Sequence, residues 1–507
     1  MRGIVPVVLL FLAIVVTPPA SAEAVAVNPY VAAGLASPWP PEQLRVALAG
    51  EDGRLVVQWA LNQRLYLESQ DPPSVLWRTP NATWRNTTAF YAGHYYHQTG
   101  PVASTNVYAA TLPPIPPGTL VGYKVGSKWG GYSAERQAYV PPANGEPFRF
   151  VAYADIGYNS TNVNQNHTLV RPLVLAADPD LVILAGDLAY SNAAATVNEW
   201  MRFMEPVQSR YPTMPALGNH EYHPSMSGYL TWLNAYVLPG DEQSYSYKAG
   251  PVTFIALNSD MICNRPQRTS YGSPTDPDPC VTSGHSLNAT QLAWLESALA
   301  AAAADETPWT VVYHHHPAYS HGAHKSDWAV RKFWEPLYAR YGVDVVFTAH
   351  DHHYARTYPV IGGVPQVNDT NVYAKGVAPI YVVTGGGGRP LYNFAPPPFP
   401  AWHACGAKAN VITVVDIDAS GLHFRAIRPG AGTEAERTLD AFDILVEGGA
   451  GRGGPPGTQN PASLCPAQEA MTTQSAAWVA VAGPGLAGLA GMAVVAALWA
   501  ARRGPRG

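Results

Sequence analysis

Residues 181–190 read Leu-Val-Ile-Leu-Ala-Gly-Asp-Leu-Ala-Tyr. A short apolar run without polar alternation fits a strand covered on both faces, as in a parallel sheet under helices. This one runs straight into a tight polar turn, Gly186-Asp187, with Tyr190 three residues on. The arrangement recurs four times. Residues 148–154 lead into Asp155-Ile156-Gly157, 214–217 into Gly218-Asn219-His220-Glu221, 310–313 into His314-His315, and 343–347 into Ala349-His350-Asp351-His352. A sixth strand candidate, 252–257, ends in no such motif. Helical stretches at 167–177, 197–207, 289–304 and 330–341 separate several of the strands, so the alternation argues an α/β fold. Ligands of open α/β sheets bind beyond the carboxyl ends of the strands. Five polar runs spread over about 200 residues are therefore expected to meet in one place.

Outward from this block the rhythm differs. Upstream, 44–49, 55–61, 75–78, 106–111 and 120–125 are short apolar or aromatic runs between turn clusters such as Glu51-Asp52-Gly53. That spacing predicts an antiparallel β-sandwich with a supporting role. Downstream, 380–384, 410–417, 422–428 and 439–446 are expected to return and close the second sheet. Residues 447–474 are rich in Gly, Pro, Ala and Gln and read as a flexible stalk.

The two ends suggest export. Arg2, the apolar run 4–16 and Ala20-Ser21-Ala22 have the layout of a secretory signal peptide. Residues 476–501 carry no charge and are followed by Arg502, Arg503 and Arg506, as a single-pass anchor with a basic cytoplasmic flank would be. A removable lipid-anchor tail is the rival reading, and Gly483-Pro484-Gly485 interrupts the run. The expected order is a signal peptide at 1–22, a β-sandwich at 23–145, a metal-dependent α/β domain at 146–446, a stalk at 447–475, a transmembrane helix at 476–501 and a basic tail at 502–507. The protein is then expected in the secretory pathway, at the cell surface or secreted.

Net charge is −5 for the whole chain and becomes −9 without the two ends, because four arginines leave and no acid does. No basic stripe is visible, which excludes a nucleic-acid partner. Cys263, Cys280, Cys405 and Cys465 are an even set in an oxidising compartment, and proximity favours Cys263–Cys280 and Cys405–Cys465. Sequons stand at Asn81, Asn86, Asn159, Asn166, Asn288 and Asn368.

Carboxylates, imidazoles, an amide and a phenol together suit hard to borderline metal ions. Asp187, with two oxygens, can bridge two cations. Tyr190 as a phenolate favours Fe(III), and Asp155 and His352 complete that ion's ligands. Asn219, His315 and His350 remain for a divalent ion, for which iron, zinc and manganese all qualify. Two metals about 3.5–4 Å apart are a recurring device for displacement at phosphorus. No G-x-S-x-G elbow and no Cys-His pair points instead to covalent hydrolysis.

On these five runs the chain resembles the plant-type purple acid phosphatases, a branch of the calcineurin-like metallophosphoesterases, whose pattern is D-x-G, G-D-x-x-Y, G-N-H-[D/E], V-x-x-H and G-H-x-H. The resemblance covers residues from about 40 to 446. It implies a fibronectin type III-like β-sandwich before an α/β two-sheet sandwich. It also implies hydrolysis of phosphate monoesters at acidic pH by a metal-activated hydroxide at an Fe(III)–M(II) centre. His315-x-Pro317-x-Tyr319 sets the register of the histidine triplet on His315. His220 and His324 are implied as substrate-binding and leaving-group partners together with Asn219, with His321 a competitor of His324. Glu221, Tyr354 and Arg356 are expected to support the site. Ala349 replaces the family's glycine, so a changed turn is expected without loss of the ligands. The expected partners are phosphate ester small molecules or phosphoproteins and the membrane, with a homodimer left open. A phosphodiesterase or nucleotide pyrophosphatase on the same site is the alternative, with specificity assigned to loops such as 259–285. An inactive cell-surface binding protein is the alternative of another class. Gly385-Gly386-Gly387-Gly388 lacks the Gly-Lys-Ser/Thr of a phosphate loop and reads as a strand-exit turn.

Overall fold

The computed structural model describes residues 40–447, apart from 51, 62–70, 96–104, 158–165, 192–193, 223–225, 265–271 and 369–370. The expected signal peptide, stalk, membrane span and basic tail lie outside the described residues. Among the described residues no helix is long and apolar enough to cross a membrane.

The first unit is built from β1 (Glu42–Leu48), β2 (Leu55–Leu61), β3 (Ser74–Arg78), β4 (Arg85–Thr88), β5 (Phe90–His94), β6 (Asn106–Thr111), β7 (Leu120–Ser127), β8 (Gly131–Tyr132) and β9 (Arg136–Tyr139). One sheet runs β1-β2-β6-β5 and the other β4-β3-β7-β8, with β9 also on β7. Every pairing is antiparallel. Val57, Trp59, Val75, Trp77 and Tyr123 are buried in one shared cluster. The expected antiparallel sandwich is thus present. Four strands were not legible in the sequence, namely β4, β5, β8 and β9. Residues 85–88, Arg-Asn-Thr-Thr, are mostly exposed and carry no apolar alternation to read.

This unit is docked by polar as well as apolar contacts. Arg45 is fully buried, and its Nε donates to the Ala235 carbonyl at 2.6 Å. The Gln43 N–H donates to Glu205 Oε2 at 2.9 Å, and the Tyr123 hydroxyl to the Ser209 carbonyl at 2.7 Å. It therefore rests on the helices Ala194–Gln208 and Met226–Ala235.

The second unit has two seven-stranded sheets. The first contains β10 (Phe148–Tyr153), β11 (Leu181–Ala185), β12 (Thr213–Ala216), β20 (Val372–Ala374), β23 (Ile412–Asp418), β24 (Gly421–Ile427) and β25 (Thr438–Leu445), in the order β12-β11-β10-β23-β24-β25-β20. The second contains β13 (Tyr245–Ala249), β14 (Val252–Ala256), β15 (Trp309–Tyr313), β16 (Val345–Thr348), β17 (Tyr354–Thr357), β21 (Ile380–Thr384) and β22 (His403–Ala407), in the order β13-β14-β15-β16-β21-β17-β22. A small hairpin, β18 (Val360–Ile361) with β19 (Val364–Pro365), lies outside both.

One expectation needs correction here. Of the four downstream strands, only β21 belongs to the second sheet, parallel to β16. The other three extend the first sheet, with β23 antiparallel to β10 in the register Phe148↔Ile417. An apolar pattern tells a strand which faces are covered. It does not say which strand lies at its edge.

Side-chain alternation sorts the layers. Phe150, Ala152 and Ile183 from one sheet meet Phe254, Val311, Tyr313, Val345 and Phe347 from the other in a single buried cluster. Phe150 stands edge-on to Phe254 and Phe347, with ring centroids 5.2 and 5.7 Å apart, a favoured aromatic geometry. The intervening residues Val151, Tyr153, Val182 and Leu184 pack outward under Trp200, Met201 and Val174. On the other side Ile255, Val312 and Val346 pack under Leu295, Leu299 and Trp334. The result is helix, sheet, sheet, helix, the two-sheet α/β sandwich expected. The helix Ala289–Ala303 starts where Asn288 Oδ1 accepts the Gln291 N–H at 3.1 Å, an N-cap that holds an orphan donor.

Candidate metal centre

The five polar runs leave the carboxyl ends of β10, β11, β12, β15 and β16. Backbone hydrogen bonds join the sheets at that edge: Ala154 N–H donates to the Thr384 carbonyl at 3.1 Å, Gly387 N–H to the Ala154 carbonyl at 2.8 Å, and Val411 N–H to the Gly386 carbonyl at 3.1 Å. Four of the site residues have left-handed backbones, Asp155 (φ 55°), Asp187 (φ 50°), Tyr190 (φ 56°) and His350 (φ 70°). Each costs roughly 1–3 kcal/mol, and such strain concentrates at functional sites.

Two clusters result. In one, the Tyr190 hydroxyl bonds Asp155 Oδ1 and lies 2.6 Å from His352 Nε2, which is itself 3.5 Å from Asp155 Oδ1. In the other, His315 Nε2 is 3.2 Å from Asp187 Oδ2 and 3.2 Å from His350 Nδ1. Asp187, His315 and His350 each offer a donor atom within 4.8 Å of the others. Asp155 ties the clusters together, since its Oδ2 accepts the His350 N–H at 2.9 Å. Asn219 begins the helical turn Asn219–Tyr222, and its Oδ1 is buried with no hydrogen-bond partner among the described residues. The next residue donates its N–H to Asp187 Oδ1 at 2.9 Å.

The histidine triplet is sorted by its neighbours. His314 packs against Trp334 in the helical layer, with centroids 5.2 Å apart. His316 Nδ1 lies 2.9 Å from Ser259 Oγ. His315 is the member that reaches the carboxylates. Ser259 follows β14, the strand with no motif, so that strand supports the site through His316, whose ring is 4.6 Å from His350.

His315 Nδ1 donates to the Ala185 carbonyl and His352 Nδ1 to the Pro390 carbonyl, both at 2.9 Å. A carbonyl only accepts, so each imidazole is turned with its Nε2 toward the site. Metal-binding histidines are commonly fixed in this way, by a hydrogen bond from the other ring nitrogen. The electrostatics agree. Burial lifts the Asp155 carboxyl to about 8. Burial alone would lower His315, but the Asp187 carboxylate and its hydrogen bond lift it to about 10. Asp187, despite burial, is held well below the usual carboxylate range by His315 and His220. Burial lowers His352 to about 3, so its contact with Asp155 is that of a neutral ring. The cluster draws protons into a buried space, which is a demand for positive charge that cations also meet.

Glu221 is fully buried. It accepts from Asp187 N and Gly218 N through Oε2, at 2.9 and 2.8 Å, and from Leu188 N through Oε1 at 2.8 Å. It thus shapes the Asp187 turn, the supporting role expected. Gly218 is required there because a Cβ would run into Asp187 Oδ1. Ala349 is buried against Ala154 and Ala185, and its N–H donates to the His315 carbonyl at 2.9 Å. The positive φ falls on His350 instead, so the methyl in place of the glycine hydrogen is accommodated.

His220 and His324 stand beside different parts of the cluster. The His220 ring lies 4.3 Å from that of Tyr190, and its Nε2 is 3.9 Å from Asp187 Oδ2. The His324 ring lies 4.0 Å from that of His350. His321, the competitor of His324, packs on Phe399 with ring centroids 5.2 Å apart. Tyr354 and Arg356 do not reach the site. They bond Asp440 of β25 at 2.7 and 2.6 Å and so join the two sheets.

Some neighbours of the site were not read from the sequence. The four glycines lead a strap over Asp155. A Cβ at Gly385 would strike Asp155 Oδ2, and one at Gly387 the Ala154 carbonyl. The strap continues as Arg389, whose N–H donates to the Asp155 carbonyl at 3.0 Å and whose guanidinium lies 4.2 Å from the Tyr190 ring centroid. Tyr392 stacks on His352 with centroids 4.0 Å apart. Asp351 accepts the His324 N–H at 2.9 Å and the Ser320 hydroxyl, fixing the loop that carries His324. The glycine run was the available signal, since close backbone approach is what such a run permits.

Residues 148–354 match the calcineurin-like phosphoesterase family model. The chain carries a calcineurin-like phosphoesterase domain. Its sequence is 27% identical over 285 residues to purple acid phosphatase 23 of Arabidopsis thaliana, a match covering 49% of this chain and 54% of that protein, about half its length. It is 26% identical over 407 residues to acid phosphatase type 7 of Mus musculus, covering 76% of this chain and 86% of that one. A purple acid phosphatase from yellow lupin seeds shares the fold at a TM-score of 0.67 and 21% identity, over 81% of this chain and 75% of that one. The phosphoesterase domain spans all five polar runs.

Cys263 and Cys280 are disulfide-bonded, as expected. The second pairing involves Cys465, outside the described residues. Asn81, Asn86 and Asn368 are exposed, Asn166 and Asn288 are half-buried, and Asn159 lies outside the described residues.

Proposed function

We propose that the chain is an exported phosphatase that hydrolyses phosphate monoesters in acidic medium at a binuclear centre of Fe(III) with divalent iron, zinc or manganese. The observation that carries the reading is the meeting of Asp187, His315 and His350 beside Asn219, whose buried Oδ1 has no partner among the described residues. An unpaired buried carbonyl oxygen beside a carboxylate and two imidazoles fits a cation, because a ligand bond offsets its desolvation. Asp155, Tyr190 and His352 would hold iron, Asn219, His315 and His350 the divalent ion, and Asp187 both. Bound there, the metals would supply Lewis acidity and an acidified water for attack at phosphorus.

The chain's own residues do the rest. The Ala185 and Pro390 carbonyls orient the two imidazoles, and Glu221 orients Asp187. His220, whose side chain is 38% exposed beside Asp187, would hold a proton at Nε2 for the departing oxygen. His324, half-buried against His350, is the second group able to contact substrate oxygens. The exported location, glycosylation and anchoring belong to the same proposal.

Elemental analysis and a visible spectrum of the purified protein test it. Iron with a phenolate charge-transfer band that disappears in Tyr190→Phe is the expected result. A colourless, iron-free protein inactive at pH 5 would refute the reading. Parallel assays on p-nitrophenyl phosphate and its bis ester decide the reaction: strong preference for the diester would replace the monoesterase by a diesterase.

A further inference from the structure

Arg389, half-buried, is unlike Arg356, Arg149 and Arg45 in what its guanidinium meets. Arg356 donates to Asp440, Asn371 and Tyr373 at 2.6–3.1 Å. Arg149 donates to Asp416 and the Ala177 carbonyl, and Arg45 to the carbonyls of Ala235 and Gln43. Each of these is structural in an evident way, with at least two acceptors aimed at its donors, although Arg45 Nη2 has none. Arg389 Nε is buried and has no hydrogen-bond partner, and its guanidinium forms no salt bridge with any described residue. What it touches is the face of Tyr190, 4.2 Å from the ring centroid.

Its position is fixed from the backbone side. The Arg389 N–H is tied to the Asp155 carbonyl, Asn166 N–H donates to the Gly388 carbonyl at 2.7 Å, and the neighbouring Pro390 carbonyl is held by His352. A guanidinium is thus delivered by a backbone-anchored strap to the edge of an acidic, metal-type site with no carboxylate partner among the described residues. His220 borders the same Tyr190 ring at 4.3 Å. A planar fork of N–H donors suits a tetrahedral oxyanion, which it can meet with two parallel hydrogen bonds.

We propose that Arg389 is an anion-binding residue of this site, taking a non-bridging oxygen of the substrate's phosphoryl group beside His220. The inference rests on the phosphatase reading and goes beyond it, since it assigns the substrate's charge to a protein cation as well as to metal. It places a determinant of affinity on the strap 385–395 in addition to the five polar runs.

The test is titration calorimetry of inorganic phosphate into the metal-loaded protein, with Arg389→Gln and Arg389→Lys, and elemental analysis of each. Wild type binds phosphate. Arg389→Gln is expected to weaken Kd on the order of tenfold or more, with metal content unchanged and KM raised more than kcat is lowered. Arg389→Lys keeps the charge and loses the fork, so it falls between them. Phosphate binding within twofold of wild type in Arg389→Gln overturns the proposal. Loss of metal in that variant also overturns it, because Arg389 would then serve to position Tyr190. Wild-type protein that binds metal but no phosphate would sink the phosphatase reading itself.

Discussion

Two buried polar constellations sit in the phosphoesterase domain, and they are built on opposite principles. In the first, Arg356 donates to both oxygens of Asp440 at 2.6 and 3.1 Å, to Asn371 Oδ1 at 3.0 Å and to the Tyr373 hydroxyl at 3.1 Å, while the Tyr354 hydroxyl donates to Asp440. Donors meet acceptors, and no left-handed backbone is needed at any of these five residues. In the second, the ligand atoms of Asp155, Asp187, His315, His350 and His352 crowd together, Asn219 Oδ1 has no partner among the described residues, and strained turns hold the arrangement. A polar cluster that closes on itself holds sheets together. One that does not close is completed by something from outside.

Removing a member should therefore have opposite consequences in the two places. Arg356→Ala leaves Asp440 buried and unpaired, and is expected to lower unfolding free energy by about 3–5 kcal/mol in urea denaturation. The double change Arg356→Met with Asp440→Leu should recover much of that loss. Full stability in the single variant would erase the contrast. Asp187→Asn is the counterpart at the site. It should reduce phosphatase activity to below about 1% and strip metal, while the metal-free protein stays folded. Unfolding of the metal-free variant would show that the site also holds the fold.

Glu242 tests an intermediate case. Burial lifts its carboxyl from 4.5 to about 7, and its Oε1 accepts one N–H, from Leu238, at 3.3 Å. The folded chain keeps this proton where the unfolded chain releases it. The associated stability is therefore complete below about pH 4.5 and is lost as pH rises through 7. Discounted for partial exposure, the loss should be about 1–2 kcal/mol. Glu242→Gln should flatten that part of the stability profile, and a profile unchanged by the substitution would show that the carboxyl titrates normally.

Much of the site was legible because its signals are local. Each metal-type residue follows its own strand within a few positions, and a strand exit with Gly, Asp, Asn or His is visible without knowing what lies beside it. The support of Asp187 by Glu221 was legible for the same reason, since they flank adjacent strand ends. Arg356 was misread as support for the site because its partner, Asp440, is 84 residues away in another sheet. Arg389 was missed because a four-glycine run carries no side chains to interpret. Its meaning comes from Asp155, which lies more than two hundred positions earlier in the chain.

The amino-acid sequence by itself determined the strand and helix rhythm, the carboxyl-end placement of the five runs and the chemical types gathered there. Hydrophobic period and turn chemistry act over a few residues, so one dimension is enough to read them. Only the tertiary structure decided that β23, β24 and β25 extend the first sheet and that Arg389 reaches Tyr190. Those outcomes depend on edge pairing, on which way a side chain points and on backbone approach across the seam of two sheets. Each is settled by packing between distant segments, which no local pattern encodes.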